Sequence, residues 1–272
     1  MFAYERLGVV TAKQIYKRFF GAIGGSGSIQ MLEAKQVTKT YGGTSVLRGI
    51  DLSIEPGKIS VLIGPSGSGK TTLLKILALL ETPDAGSVSI DGATYRFPLG
   101  KNEKIQVPWP KVTVVFQQLF LWPHLTLLQN MTLPLYARGV DDDSPRVHEL
   151  IELFDMKEFV YRYPNQASLG QRQRAALVRA LLLEPEYILL DEITSSLDVE
   201  QTAIILSKLK ELRDKGIGVL TITHLLQFAQ EAADRVVFMD AGEIIEEGGP
   251  GLLMDSTHER IRKFMSVVKA AS

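Results

Sequence analysis

The stretch Gly64 to Thr72 reads GPSGSGKTT. Gly64, Gly67 and Gly69 allow tight turns and let backbone N–H groups converge on one point with no Cβ in the way. A lysine and two threonines follow at once. The spacing is G-x-x-x-x-G-K-[ST], which suits a phosphate chain. In that reading Gly64, Pro65, Ser66, Gly67, Ser68 and Gly69 line the phosphates. Lys70 reaches the β- and γ-phosphates, the Thr71 hydroxyl ligates Mg²⁺ and completes the motif, and Thr72 follows it in the phosphate-binding run at the start of a helix. The positive end of that helix faces the same anion.

Two further sets of residues point to the same chemistry. YILLDE (187–192) places Asp191 and Glu192 after an apolar run. Adjacent carboxylates at the end of a buried strand are costly unless a cation is near, and Mg²⁺ is the natural one. Asp191 would hold the ion, directly or through water, and Glu192 would polarise an attacking water as general base. TITH ends at His224, on the strand edge where α/β sheets bind ligands, within reach of a γ-phosphate. A fourth feature is less direct. Ser168 and Gln171 have the spacing of a helix capping box, yet Arg172 and Arg174 follow where cations oppose the helix dipole.

The elements that must position these residues alternate along the chain. Strands are predicted at 59–64, 112–116, 187–192, 219–224 and 235–240. Helical spacing runs from Thr72 to Leu80 and from Ala175 to Leu183. Alternation of this kind makes a parallel α/β sheet. VVFMDAGEIIEEG reads as a hairpin turned at Asp240-Ala241-Gly242, and GSVSIDG (86–92) as a strand and turn. Between Gln118 and Asn165 the pattern is mostly helical, a helical insertion in the α/β core.

Composition bounds the remaining choices. The chain has 272 residues, 45% of them hydrophobic, enough for one large globular domain. A net charge of −1 argues against a general polyanion binder, so no nucleic-acid partner is expected. With no cysteine, disulfides and thiolate metal sites are excluded. No apolar run reaches the roughly 18 residues needed to span a bilayer. Residues 1–30 differ from the rest: aromatic and aliphatic residues interleave with Arg6, Lys13, Lys17 and Arg18, ahead of a flexible GGSGS linker. They read either as a basic amphipathic helix on a membrane surface or as a poorly ordered tail or added segment.

Together these motifs resemble the ATP-binding cassette (ABC) transporter ATPases, over almost all of residues 31–272. Beyond the Walker A loop at 64–72 and Walker B at 187–192, the resemblance implies several roles. Tyr41 in TKTYGG stacks on adenine. Gln117 in VVFQQ contacts Mg²⁺ and water and senses the transporter. Ser195 to Asp198 form the loop that crosses to a partner subunit, and His224 is the switch histidine. ASLGQ (167–171) takes the place of the signature, usually Leu-Ser-Gly-Gly-Gln. Its Ser168, Gly170 and Gln171 would bind the γ-phosphate of ATP held by the other copy. The helix start then faces an anion from across an interface.

The sequence departs from the family pattern at Ala167, Leu169 and Ile193. If Ser168 is the N-cap, Leu169 takes ordinary helical angles and its penalty is steric, so the expectation is a weakened but working trans site.

The resemblance implies a P-loop NTPase fold: a RecA-like parallel sheet, an antiparallel β subdomain and an inserted helical subdomain at about 118–170. Residues 1–30 would be an extension and 31–272 the nucleotide-binding domain. FAQEAADRVVFMDAGEIIEEGGP and HERIRKFMS resemble the polar amino acid importer branch. That implies an ATP-hydrolysing subunit with ATP and Mg²⁺ as cofactors, peripheral on the cytoplasmic face of the inner membrane. Its implied partners are a second ATPase subunit in a head-to-tail dimer, an integral membrane permease and an extracytoplasmic solute-binding protein. Leu119, Phe120, Leu121 and Trp122 either suit a groove for the permease coupling helix or pack beneath the helical lobe. An exporter or lipoprotein-release ATPase is the alternative within transport. A chromosomal or translational ABC protein would need coiled-coil or zinc-bearing insertions, or a second cassette, and none is present. A regulatory subunit without turnover would not need Glu192 and His224.

Overall fold

The computed structural model describes residues 31–101, 103–106, 108–136, 144–194 and 197–271, with no side-chain description from 269 onward. The extension at 1–30 and Ser195 lie outside the described residues.

Two sheets enclose one helix. Strands β1 (Leu32–Tyr41), β2 (Thr44–Ile54), β4 (Ala85–Ile90) and β5 (Ala93–Phe97) form an antiparallel sheet ordered β2-β1-β4-β5. The second sheet is ordered β10-β9-β3-β8-β7-β6. It contains β3 (Ile59–Ile63), β6 (Val112–Val115), β7 (Tyr187–Asp191), β8 (Gly218–Ile222), β9 (Arg235–Asp240) and β10 (Glu243–Gly248). The neighbours from β9 to β6 are parallel, and β10 returns antiparallel to β9. The hairpin turn has Ala241 and Gly242 at φ 48° and 83°, the paired left-handed angles of a tight hairpin.

The apolar runs of β3, β7 and β8 are buried at every position because the parallel sheet is covered on both faces. Alternate residues enter different cores. Ile188 and Leu190 point into a core shared with α2 (Leu127–Tyr136), α4 (Leu169–Leu181), α5 (Val199–Asp214) and α6 (Leu226–Ala232). Tyr187 and Leu189 point the other way, into a core closed by the antiparallel sheet and α1 (Lys70–Leu77). α1 is thus sandwiched, with Leu73, Leu74, Ile76 and Leu77 fully buried.

The helical run predicted from Thr72 to Leu80 is displaced. α1 begins at Lys70 and ends at Leu77, with Leu79 left-handed at φ 52° and Leu80 57% exposed. The Leu79 and Leu80 N–H groups donate to the carbonyls of Ile76 and Lys75, a Schellman closure that ends the helix although the leucines continue its period.

The helical insertion holds α2, α3 (Pro145–Leu153) and a short 3₁₀ turn (Pro164–Gln166), with α2 packed on α4. Leu119 and Leu121 pack into this lobe, whereas Phe120 and Trp122 face solvent at 59% and 54% exposure. The four residues read as one group divide by alternation. Two further helices, α7 (Leu252–Asp255) and α8 (Glu259–Ala271), close the chain.

Candidate functional site

Strand register brings distant positions to one edge. Leu62 of β3 and Asp191 of β7 both lie level with Ile222 of β8, and Val115 of β6 with Leu190. The segments leaving these strands therefore emerge side by side at their carboxyl ends, where open α/β sheets bind ligands. Gly64 follows β3, exposed Gln117 follows β6, Glu192 follows β7 and His224 follows β8.

The loop after β3 is shaped by close approach. A Cβ on Gly64 would sit 1.9 Å from the Met239 carbonyl oxygen, and one on Gly69 would meet the Val46 carbonyl at 2.8 Å. Both positions exclude any side chain. Pro65, Ser66 and Gly67 form the outer turn, and a Cβ on Gly67 would meet open space. The Ser68 N–H donates to the Pro65 carbonyl, and the Ser68 carbonyl accepts from the Gly242 N–H in the β9–β10 turn. Ser68 is buried.

Lys70 starts α1, with Thr71 and Thr72 beside it. The lysine is 5% exposed, and its ammonium donates to the Gly64 and Pro65 carbonyls at 2.9 and 2.8 Å. Burial pushes this lysine below its usual range, and the Glu192 and Asp191 carboxylates only partly oppose that. A cation held at the loop's centre by its own carbonyls matches an anion in charge and position.

Thr71 Oγ1 donates to Asp191 Oδ1 at 3.2 Å. Burial pushes the Asp191 carboxyl above its usual range, and the Thr71 hydrogen bond offsets only part of the rise. A hydroxyl and a carboxylate are hard oxygen donors, fit for Mg²⁺. Among the described residues no group of three or more His, Cys, Asp or Glu could hold a metal alone. An ion at Thr71 and Asp191 would take its remaining ligands from phosphate and water.

Glu192 has left-handed backbone at φ 50°, which costs a non-glycine residue about 1 kcal/mol. Its N–H donates to the Ile222 carbonyl, and its Oε1 lies 2.6 Å from His224 Nε2. Turn and hydrogen bond together aim the carboxylate across the edge.

Tyr41 ends β1 and is 44% exposed. Its hydroxyl donates to Glu81, just past α1, and the Lys39 ammonium lies 5.3 Å from its ring centroid. Burial and the Glu81 carboxylate raise the Tyr41 phenol above its usual range, and a hydrogen bond with Thr72 opposes them, which puts the ring beside the loop. Glu81 and Lys39 were not singled out from sequence, and no local pattern connects positions 39, 41 and 81.

The remaining candidates stand on two other helix starts. Ser168 caps α4: its Oγ accepts from the Gln171 N–H at 3.2 Å, and Gln171 Oε1 accepts from the Ser168 N–H at 3.0 Å. Leu169 is the first helical residue, as expected if Ser168 caps. A Cβ on Gly170 would meet the Gln201 side chain at 2.3 Å, so α4 and α5 begin close together. Asp198 caps α5, its carboxylate accepting from the Gln201 N–H at 2.7 Å.

Residues 47–195 match the family model described as "ABC transporter". The chain is 38% identical to the glutamine transport ATP-binding protein GlnQ of Escherichia coli, covering 88% of this chain and all of that protein. It is 37% identical to the L-cystine transport system ATP-binding protein TcyN of the same species, over 86% of this chain and 96% of that one. Among solved structures, it is similar to an ATP-binding cassette in dimeric, post-hydrolysis form bound to ADP and Pi. That likeness has a TM-score of 0.72 and 34% identity, over 81% of this chain and 99% of that one. A phosphate loop, an edge carboxylate pair and a facing histidine on this fold agree with those matches, and the chain belongs to the ABC transporter family of ATP-binding proteins.

Proposed function

We propose that this chain is the ATP-hydrolysing subunit of an importer for a polar amino acid. The observation that carries the reading is the meeting of Lys70, Thr71, Asp191, Glu192 and His224 at one sheet edge. The relatives named for glutamine and cystine transport support the substrate class.

In this reading ATP lies along the Gly64–Thr72 loop with its adenine on Tyr41. Lys70 moves its hydrogen bonds from the Gly64 and Pro65 carbonyls to β- and γ-phosphate oxygens. Thr71, Asp191 and Gln117 would hold Mg²⁺, which would supply charge neutralisation for the phosphates. Glu192 accepts a proton from the attacking water, and His224 holds that carboxylate and reaches the γ-phosphate. Ser168, Gly170 and Gln171 complete the site of a second copy, with Asp198 on the crossing loop between them. Two chains close head to tail over two ATP molecules, and the dimeric cassette among the solved structures supports that arrangement.

Among the described residues no helix is long and apolar enough to cross a membrane. In this reading, supported by the relatives named as transport ATP-binding proteins, the pathway belongs to a separate permease, with the chain peripheral on its cytoplasmic side and a solute-binding protein delivering the amino acid outside. Exposed Phe120 and Trp122 form the face offered to the permease. Residues 1–30 are an extension, 31–272 the nucleotide-binding domain and about 118–170 its helical part.

The test is purification with the membrane partner that copurifies, reconstitution into liposomes and measurement of ATP hydrolysis with polar amino acids outside. Stimulation by one of them, lost on Lys70→Ala, is the expected result. Hydrolysis indifferent to every amino acid, in a complex that exports lipid or peptide, would refute the importer reading.

A further inference from the structure

The segment after Gln117 is held by two polar side chains from different helices. From α4, the Arg179 guanidinium donates Nη1–H to the Phe120 carbonyl at 2.9 Å and Nη2–H to the Leu119 carbonyl at 2.6 Å. From α2, the fully buried Asn130 accepts from the Trp122 N–H at 2.7 Å. It also donates to the carbonyls of Trp122, Leu125 and Thr126, each at 3.0 Å. Asn130 closes its own turn of chain, whereas Arg179 reaches back 60 positions from Leu119.

Arg179 is an expensive choice for that task. Burial pushes its guanidinium below the usual arginine range. Among the described residues its hydrogen-bond partners are the two carbonyls, and no carboxylate pairs with it. Arg179 is half-buried, and a partly desolvated cation without a counter-ion costs stability. Stability alone therefore does not explain an arginine.

Its place along α4 does. The helix is capped by Ser168 and carries Arg179 near its far end, about 16 Å away at the helical rise. A helix packed on that scale moves as one body. Its two ends thus have different tasks: in the reading above the capped start faces the other copy, and Arg179 grips the loop that shows Phe120 and Trp122 to solvent.

We propose that Arg179 is a positioning residue that ties the Leu119–Trp122 loop to α4. Movement of α4 when ATP closes two chains is thereby carried to the Phe120–Trp122 face. This rests on the reading above, in which Ser168 meets ATP bound by the other copy. The two-pronged guanidinium fixes both the position and the tilt of the loop, because it holds two successive carbonyls.

The chain has two tryptophans, Trp109 and Trp122. In the full chain carrying Trp109→Phe and Glu192→Gln, Trp122 alone reports on the loop. Mg²⁺ and ATP should produce a dimer by light scattering and a change in Trp122 emission. Adding Arg179→Met should leave the melting temperature and ATP-dependent dimer intact and abolish the emission change. Arg179→Lys cannot span both carbonyls and should retain only part of it. An unchanged response in Arg179→Met overturns the proposal. If that variant does not fold, a full response in Arg179→Lys overturns it instead. A parent that dimerises without any Trp122 response overturns this inference alone. A parent that binds no ATP or stays monomeric overturns the underlying reading as well.

Discussion

His224 Nε2 lies 2.6 Å from Glu192 Oε1, a bond between side chains 32 positions apart that leave neighbouring strands at the same level. Glu192 is fixed twice, by this bond and by the left-handed turn that follows β7. A general base must be aimed before its basicity matters.

Glu192→Gln keeps the shape of the side chain and a hydrogen-bonding partner for His224, and in the proposed mechanism it removes the base. Turnover should fall about 10²–10⁴-fold, the usual contribution of general base catalysis. ATP binding should persist, and chains should collect as an ATP-bound dimer in size-exclusion chromatography with light scattering. A variant that stays monomeric with ATP would contradict the sandwich arrangement.

Asp191 gives a pH dependence of known sign. Burial raises its folded-state pKa above the ordinary 3.8, so the neutral carboxyl persists to higher pH than in the unfolded chain. Without metal the group costs stability at neutral pH, and that cost is relieved as pH falls through the raised value. Mg²⁺ bound as proposed by Asp191 would have to expel the same proton. Thermal stabilisation by Mg²⁺ should therefore grow as pH rises through the window above 3.8 in which Asp191 ionises, and then level off. Asp191→Asn should lose both the metal response and its pH dependence. A Mg²⁺ response independent of pH through that window would sink the assignment.

Away from the site, Asp91 in the β4–β5 turn accepts from Tyr187 at 3.0 Å and pairs with Lys111 at 2.9 Å, and Lys111 also reaches Glu186 at 3.2 Å. Burial pushes the Asp91 carboxyl up, but hydrogen bonds from Lys111 and Tyr187 and the Lys111 charge outweigh it and hold Asp91 below its usual range. Burial and the neighbouring Asp91 push Glu186 up. Asp91 thus adds stability that is present above 3.8 and lost as pH falls through its depressed value, whereas Glu186 costs stability at neutral pH. Asp91→Asn should lose about 2 kcal/mol at pH 7, the scale of hydrogen bonds to a charged group. Glu186→Gln should leave the melting temperature equal or higher. Calorimetry finding the reverse order would refute this assignment of charge.

Leu169 occupies the first turn of α4 with ordinary helical backbone, so its expected penalty at the proposed trans site is steric. Leu169→Gly should raise ATP turnover while costing about 1 kcal/mol of helix stability. Initial-rate assays beside thermal melts check both. A native chain with no turnover, restored by the glycine, would mean the leucine blocks the site instead of slowing it.

Some of this was legible in the sequence. ISVLI and YILLD are apolar nearly throughout because both faces of the parallel sheet are covered, so their runs stand out without any neighbour. The Ser168–Gln171 capping box was equally local. The end of α1 was not, since Leu79 and Leu80 continue the helical period while their N–H groups close it. Phe120 and Trp122 could not be separated from Leu119 and Leu121 until the lobe beneath them was in place.

By itself, the sequence determined which residues were candidates for phosphate, metal and proton chemistry. Loop spacing, paired carboxylates and a strand-end histidine are demands of backbone and charge within a few neighbouring positions. Only the tertiary structure decided that Thr71 meets Asp191 across 120 positions, that Glu81 anchors Tyr41, and that Arg179 grips the loop after Gln117. Those pairings follow from strand register and from which side chains share a core, and both depend on residues far apart in the chain.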